Sequence, residues 1–286
     1  MQKINNILSE IFENEVKVLF PIHGGMMNQS FVVESKNKKY VFYIPGNNAN
    51  EMVDRELEKY NIDLAYHLGI TSKNVYFDTE KGIKINRYIE GNSLNNINQY
   101  DYAKIAIMLR KLHQGGSLTY TDYMPFEKLN MYEKERIAYQ KSVDVYYKII
   151  KDVLIKEKSY LTSDKLVLSH NDFQKSNIVQ DLEDNYWLID FEFMANNYDL
   201  YDVACFANND IEDGEKLLVE YKHGNPNKDD YKKFYLWRMF LSLQWFNVAI
   251  IKHNKGEGEI HNIDFMSVAS HFIENAKIAL KKYQSL

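Results

Sequence analysis

Residues 166–192, LVLSHNDFQKSNIVQDLEDNYWLIDFE, constrain this chain more than any other stretch. Three short apolar runs, at 166–168, 178–179 and 186–189, are separated by polar segments. None of the runs is long enough for a helix, so they read as strands. The spacers are a polar loop at 169–177 and an acidic turn at 181–185. Loops at strand ends are where chemistry is usually placed.

The first spacer holds His170, Asp172 and Asn177 in the spacing H-x-D-x-x-x-x-N. Asp190 follows the third run, in Asp-Phe-Glu. Phosphoryl transfer from ATP asks for these residue types. It needs one acceptor for the incoming hydroxyl's proton, which suits Asp172, and oxygen ligands for the magnesium ion that neutralises the phosphates. Magnesium takes hard oxygen donors and keeps several waters, so Asn177 and Asp190 are an adequate protein share. The spacing follows the kinase template H-R-D-x-x-x-x-N and D-F-G, with Asn171 in the place of Arg and Glu192 in the place of Gly. The plainer alternative is a hairpin with incidental loop carboxylates.

The chain has 286 residues, enough for one large or two medium domains, and 45% hydrophobic residues, enough for a core. Its net charge of −5 argues against a nucleic-acid partner. The single cysteine, Cys205, rules out an internal disulfide and fits a reducing compartment. The N-terminus lacks a charged-then-apolar signal pattern, and the apolar stretch 236–251 is too short to span a bilayer. The expectation is a cytoplasmic protein without membrane insertion. Ile4, Ile7, Leu8, Ile11 and Phe12 predict an amphipathic first helix, and residues 51–67 predict another.

The pair HNDFQKSNI and LIDFEF resembles the choline/ethanolamine kinases, within the aminoglycoside-phosphotransferase group of protein-kinase-like folds. The resemblance runs from about Gly24 to the last helices. It implies an α+β, two-lobed fold: an antiparallel-sheet N-lobe at 1–88 that binds nucleotide, and a mostly helical C-lobe at 89–286 that carries catalysis and the acceptor. It also implies a phosphate-covering loop containing Gly24, Gly25, Met27 and Asn28. By themselves the two glycines read equally well as a hairpin turn.

The resemblance further places a basic strand residue where this chain has Tyr43. Lys39 lies on the same strand face but roughly 13 Å away along it. The helix carboxylate that would pair with such a cation is assigned to Glu56, in Asp54-Arg55-Glu56, and with Tyr43 opposite no ion pair is expected. Arg87, Tyr88 and Ile89 fall in the hinge that would read adenine. Asp202 and His170 take structural roles, Asp202 holding the catalytic loop's backbone, and His113 is read as structural too. For the acceptor's cation the resemblance implies an aromatic box drawn from Trp245, Trp237, Tyr198 and Tyr201, with Glu192. Ser242 stands where a second tryptophan is usual. Trp237 and Trp245 share a helix face, and without that context they read as core.

The expectation is an ATP- and Mg²⁺-dependent kinase acting on the hydroxyl of a small molecule, choline. The alternatives are a kinase of ethanolamine or of an aminoglycoside-like amino alcohol, and a catalytically weak kinase-fold choline-binding protein, motivated by Tyr43. The oligomeric state stays open.

Overall fold

The computed structural model describes residues 2–12, 14–22, 28–46, 53–115 and 118–286. The backbone divides into two compact units. The first comprises residues 1–97 and 178–193, and the second 98–177 and 194–286. The lobe boundary expected near residue 88 therefore falls inside the first unit, which also takes back the hairpin after the catalytic loop.

The first unit opens with α1 (Gln2–Ile11). A five-stranded antiparallel sheet follows, built from β1 (Lys17–Ile22), β2 (Asn28–Ser35), β3 (Lys38–Pro45), β4 (Asn74–Asp78) and β5 (Ile83–Arg87), in the order β1-β2-β3-β5-β4. The helical spacing seen in the sequence has a physical purpose. Leu8 of α1 is buried with Val33, Phe42, Ile83 and Ile85 of the sheet, and Ile4, Ile7, Ile11 and Phe12 pack around them. Lys36 and Asn37 both adopt positive φ in the two-residue turn between β2 and β3. That matches a hairpin whose turn must follow the strand twist.

Helix α2 (Arg55–His67) starts later than the sequence suggests. Asp54 is its cap, accepting a hydrogen bond from the Leu57 N–H at 3.0 Å. An aspartate at that position satisfies one of the orphan N–H groups of the first turn and stops the helix from extending backwards. A second, three-stranded sheet joins β6 (Gly91–Ser93) to two strands that come from later in the chain, β8 (Ile178–Asp181) and β9 (Tyr186–Leu188). The close approach needs Gly91, where an added Cβ would lie 2.1 Å from the Gln180 carbonyl oxygen.

The second unit is helical around one buried rod. It contains α3 (Tyr102–Gly115), α4 (Pro125–Tyr139), α5 (Val145–Lys156), α6 (Lys158–Leu161), α7 (Asp199–Phe206), α8 (Ile211–Tyr221), α9 (Lys228–Asn254), α10 (Glu257–His261) and α11 (Phe265–Gln284). Helix α9 is buried on nearly every side between Phe234 and Ile251 and packs against α4, α5, α7 and α11. Its buried polar residues are bonded inside the unit, Arg238 to the Ala204 carbonyl at 2.7 Å and Asn247 to the Leu243 carbonyl at 2.9 Å, as interior polar groups must be. Its start is fixed by a capping box between Asn227 and Asp230. Between the helices, β7 (Val167–Ser169) pairs antiparallel with β10 (Ala195–Asn197). Among the described residues, no helix is long and apolar enough to cross a membrane.

Candidate active site

Chemistry-bearing residues gather at one place in each unit. In the second unit that place is the loop after β7, where Ser169, His170 and Asn171 are buried. Such a loop exposes backbone donors that must find partners away from water. Asp202 of α7 supplies them: its carboxylate accepts from the backbone N–H of His170 at 2.7 Å and of Asn171 at 2.8 Å. His113 of α3 sits 3.1 Å from the same carboxylate through Nε2, and its Nδ1 is 2.8 Å from the Tyr221 hydroxyl. Asp202 and His113 thus form one bonded group beneath the loop, with His170 tied to it through its backbone N–H.

Asn171, with a φ of 65°, fills the place of the template's arginine. Asparagine tolerates this left-handed conformation better than most residues. Its amide N–H₂ donates to the carbonyls of Ser169 at 3.2 Å and Ala195 at 3.3 Å, and its oxygen accepts from Asn197 at 2.7 Å. The side chain latches the loop onto β10.

Asp172 then sits at the mouth of the turn with 9% of its surface exposed. Its Oδ2 accepts from the Asn177 amide at 2.8 Å and from the Gln174 amide at 3.0 Å. Asn177 also donates to the Asp172 backbone carbonyl at 2.9 Å. A short 3-10 turn, Lys175–Asn177, brings the two together across five residues. Lys175 is tied to Asp213 of α8, which also accepts from the hydroxyls of Tyr100 at 2.9 Å and Tyr102 at 2.5 Å. The result is a buried carboxylate held in one orientation by its own loop.

In the first unit the place lies after β9. Asp190 adopts a φ of 67°, a strained conformation for a non-glycine residue and one that clusters at functional sites. Carboxylate oxygens of Asp190, Glu192 and Glu58 lie within 4.8 Å of one another. Two cations face them. Lys84 of β5 forms an ion pair with Glu58, and Arg55 of α2 binds the same carboxylate at 2.6 Å. Arg55 also lies 4.0 Å from Glu192 and 3.5 Å from the Asn28 side-chain oxygen.

The electrostatics follow from burial and charge. Burial works against an ionised Glu58, but Lys84 and Arg55 hold its carboxyl below the usual range. Burial likewise opposes the Lys84 charge, yet Glu58 and Asp190 hold its ammonium above the usual range. Glu192 goes the other way: burial, then the negative charge of Asp190, pushes it up to about 8. Its Oε2 is buried and has no hydrogen-bond partner among the described residues. Two like charges this close resist ionising together.

Several expectations change here. Glu56 is exposed and bonded to the Thr79 hydroxyl; the buried helix carboxylate is Glu58, two positions on, on the sheet-facing side of α2. The ion pair thought impossible is present, because its cation comes from β5 and not from β3. Lys39 is committed to Glu90 at 2.9 Å on the surface. Sequence reasoning missed Lys84 and Glu58. The signals available were a lysine set between Ile83 and Ile85, and an Arg-x-x-Glu pair on one helix face.

Gly24, Gly25 and Met27 lie outside the described residues. At the expected hinge, the Arg87 N–H donates to the Lys73 carbonyl at 2.8 Å and the Tyr88 N–H to the Lys39 carbonyl at 3.1 Å. The Arg87 carbonyl accepts from the Ser72 hydroxyl at 2.7 Å. Those three groups are engaged within the first unit. Ile89, half-buried, follows them.

The aromatic residues expected around a cation separate into two places, both in the second unit. Tyr198 stacks on Trp237 with ring centroids 5.5 Å apart, and Tyr201 meets the same indole edge-on at 5.3 Å. Trp237 and Tyr201 are fully buried, so Tyr198 is the half-exposed member of the three. Trp245, two turns along α9, stacks on Phe272 of α11 instead. Ser242 accepts from the buried Arg238 at 3.2 Å. Glu192 belongs to the carboxylate cluster of the first unit.

Residues 19–234 match the family model described as choline/ethanolamine kinase. Protein LicA of Haemophilus influenzae is 24% identical over 272 residues, covering 86% of this chain and 77% of that protein. A crystal structure of a choline/ethanolamine kinase family protein from Mesorhizobium loti superposes with a TM-score of 0.82 at 17% identity, covering 99% of this chain and 96% of that one. Choline kinase LicA from Streptococcus pneumoniae gives 0.73 at 22% identity, with 100% and 99% covered. The α+β kinase-like fold expected from the sequence is the fold these structures share.

Proposed function

Since the chain belongs to the choline/ethanolamine kinase family, we propose that it transfers the γ-phosphoryl group of ATP to the hydroxyl of choline. The observation that carries the reading is the Asp172–Asn177 arrangement: a carboxylate oriented by 2.8 and 3.0 Å hydrogen bonds in a loop pinned by Asp202. Asp172 orients the acceptor hydroxyl and takes its proton as the O–P bond forms. Asn177 and Asp190 each offer a hard oxygen to magnesium. The carboxylate cluster with its orphaned Glu192 oxygen is chemically suited to a divalent ion. Bound magnesium supplies neutralisation of phosphate charge. Asn28, and with it Gly24, Gly25 and Met27, is assigned to the phosphates. Of the Arg87–Ile89 segment, Ile89, which lies past the engaged Arg87 and Tyr88 N–H groups, is assigned to adenine.

For the acceptor, Tyr198 backed by Trp237 offers a half-exposed π face to a quaternary ammonium. That favours choline over ethanolamine, whose primary ammonium also requires hydrogen-bond acceptors. The motive for a catalytically weak binding protein was the lack of a strand cation. The Lys84–Glu58 pair offers a strand cation from β5 and weighs against that reading.

The test is ADP release from MgATP with choline, ethanolamine and a set of aminoglycosides as acceptors, with phosphocholine identified in the product by phosphorus NMR. Choline-dependent turnover is expected. Faster turnover with another acceptor, or none with any, overturns the assignment.

A further inference from the structure

Tyr43 and Lys84 are direct partners in the pairing of β3 with β5. Directly opposed residues of an antiparallel pair project from the same face of the sheet. The Lys84 ammonium accordingly lies 4.8 Å from the centre of the Tyr43 ring. Neighbouring strands are about 4.8 Å apart, a shift that a four-carbon stem can span. A cation rooted on β5 can therefore be delivered to the space that a basic residue at position 43 would serve.

Burial argues that this lysine is there for its charge. Only 2% of its surface is exposed, and it interrupts the apolar neighbours Ile83 and Ile85. A buried ion pair is seldom more stable than apolar residues of the same size, so its retention calls for another reason. Two cations, Lys84 and Arg55, face the three carboxylates Glu58, Asp190 and Glu192. Arg55 already pairs with the Oε2 of Glu58, so Lys84 is not the sole cation neutralising that carboxylate.

We propose that Lys84 is the phosphate-binding cation of this chain, supplied from β5 in place of a basic residue on β3, with Glu58 fixing its ammonium and the Tyr43 ring flanking it. The proposal rests on the kinase reading but not on the identity of the acceptor.

The experiment is calorimetric titration with MgADP, and separately with choline, of the wild-type chain, Lys84→Met, and the exchange Tyr43→Lys/Lys84→Tyr. Thermal unfolding serves as the check on folding. Lys84→Met leaves Glu58 bonded to Arg55, so it is expected to fold. It should weaken MgADP binding about ten- to a hundredfold, the range for a hydrogen bond to a charged group, and leave choline binding unchanged. The exchange variant should recover most of the lost MgADP affinity. Wild-type affinity for MgADP in Lys84→Met overturns the proposal. So does an exchange variant that folds but binds MgADP no better than Lys84→Met, or not at all where Lys84→Met fails to fold. A wild-type chain that binds no MgADP sinks both this and the kinase reading. A chain that binds MgADP through Lys84 but never phosphorylates choline sinks only the choice of acceptor.

Discussion

Asp202 accepts a hydrogen bond from the backbone N–H of His170 at 2.7 Å, and its second oxygen serves the next N–H, that of Asn171. One side chain on α7 thus sets the path of the loop that carries Asp172. Removing it strands two buried donors and the His113 ring. Asp202→Ala should cost about 3 kcal/mol of stability, the scale of losing charge-assisted bonds and leaving their partners unpaired. A displaced catalytic loop should lower kcat on the order of a hundredfold even where the protein still folds. Asp202→Asn turns one acceptor into an N–H₂ group facing an N–H, so it should fall between alanine and wild type. Chemical denaturation and steady-state turnover check both effects. A folded Asp202→Ala chain with normal kcat contradicts the pinning role.

Asp172→Asn keeps the shape of the side chain and removes its ability to take a proton. Turnover should fall by about a thousandfold, within the usual range for a lost general base. Nucleotide binding and unfolding temperature should stay close to wild type, because an asparagine oxygen can still accept from the Asn177 and Gln174 amides. Asn177→Ala should lower turnover less and raise the magnesium concentration needed for half-maximal rate. Residual activity of Asp172→Asn within about tenfold of wild type would remove Asp172 from the role of base.

Glu192 supplies a pH dependence whose sign can be worked out. Its folded carboxyl is pushed up to about 8 from an ordinary value of 4.5. Between those values the native state holds a proton that the unfolded state has lost. Stability therefore falls as pH rises across that window, by at most about 1.4 kcal/mol per unit. Glu192→Gln keeps the neutral form permanently and should flatten the slope. Denaturant titrations of metal-free protein between pH 5.5 and 8.5 decide it: parallel curves for the two proteins mean that Glu192 is ionised in the native state after all.

Much of this was legible because local pattern and three-dimensional role coincide. The loop from His170 to Asn177 builds its own hydrogen-bonded turn, so its spacing survives in one dimension. The first helix was readable because Leu8 and its neighbours repeat at the period of the surface they bury. Lys84 was not readable, because its meaning depends on which residue of β3 it faces. Strand register is a pairing fact that no short window contains. Glu56 stands out in the sequence because it completes Asp54-Arg55-Glu56, and only the direction of the helix face, fixed by the Asp54 cap, shows that Glu58 is the buried carboxylate. The aromatic box suffered from the same ambiguity, since Trp237 and Trp245 lie on one side of α9 but meet different neighbours along its length.

That divergence gives the sharpest contrast between paired substitutions. Tyr198 and Trp245 are both half-exposed, but Tyr198 stacks on Trp237 whereas Trp245 stacks on Phe272 of α11. If Tyr198 supplies the π face for the acceptor's cation, Tyr198→Ala should raise the KM for choline by about five- to thirtyfold, the value of a cation–π contact of 1–2 kcal/mol, and leave the KM for ATP alone. Tyr198→Phe should be nearly silent, because the hydroxyl's only described bond is a long one, 3.4 Å to the Thr162 carbonyl. Trp245→Ala should behave differently. Loss of its stack against α11 should destabilise the second unit by about 1–2 kcal/mol, the scale of an aromatic pair on a half-buried side chain, with the KM for choline unmoved. Steady-state kinetics with choline and ATP varied in turn, alongside unfolding curves, separates the two residues. A choline-specific KM effect at Trp245 with none at Tyr198 would move the cation to the other end of α9.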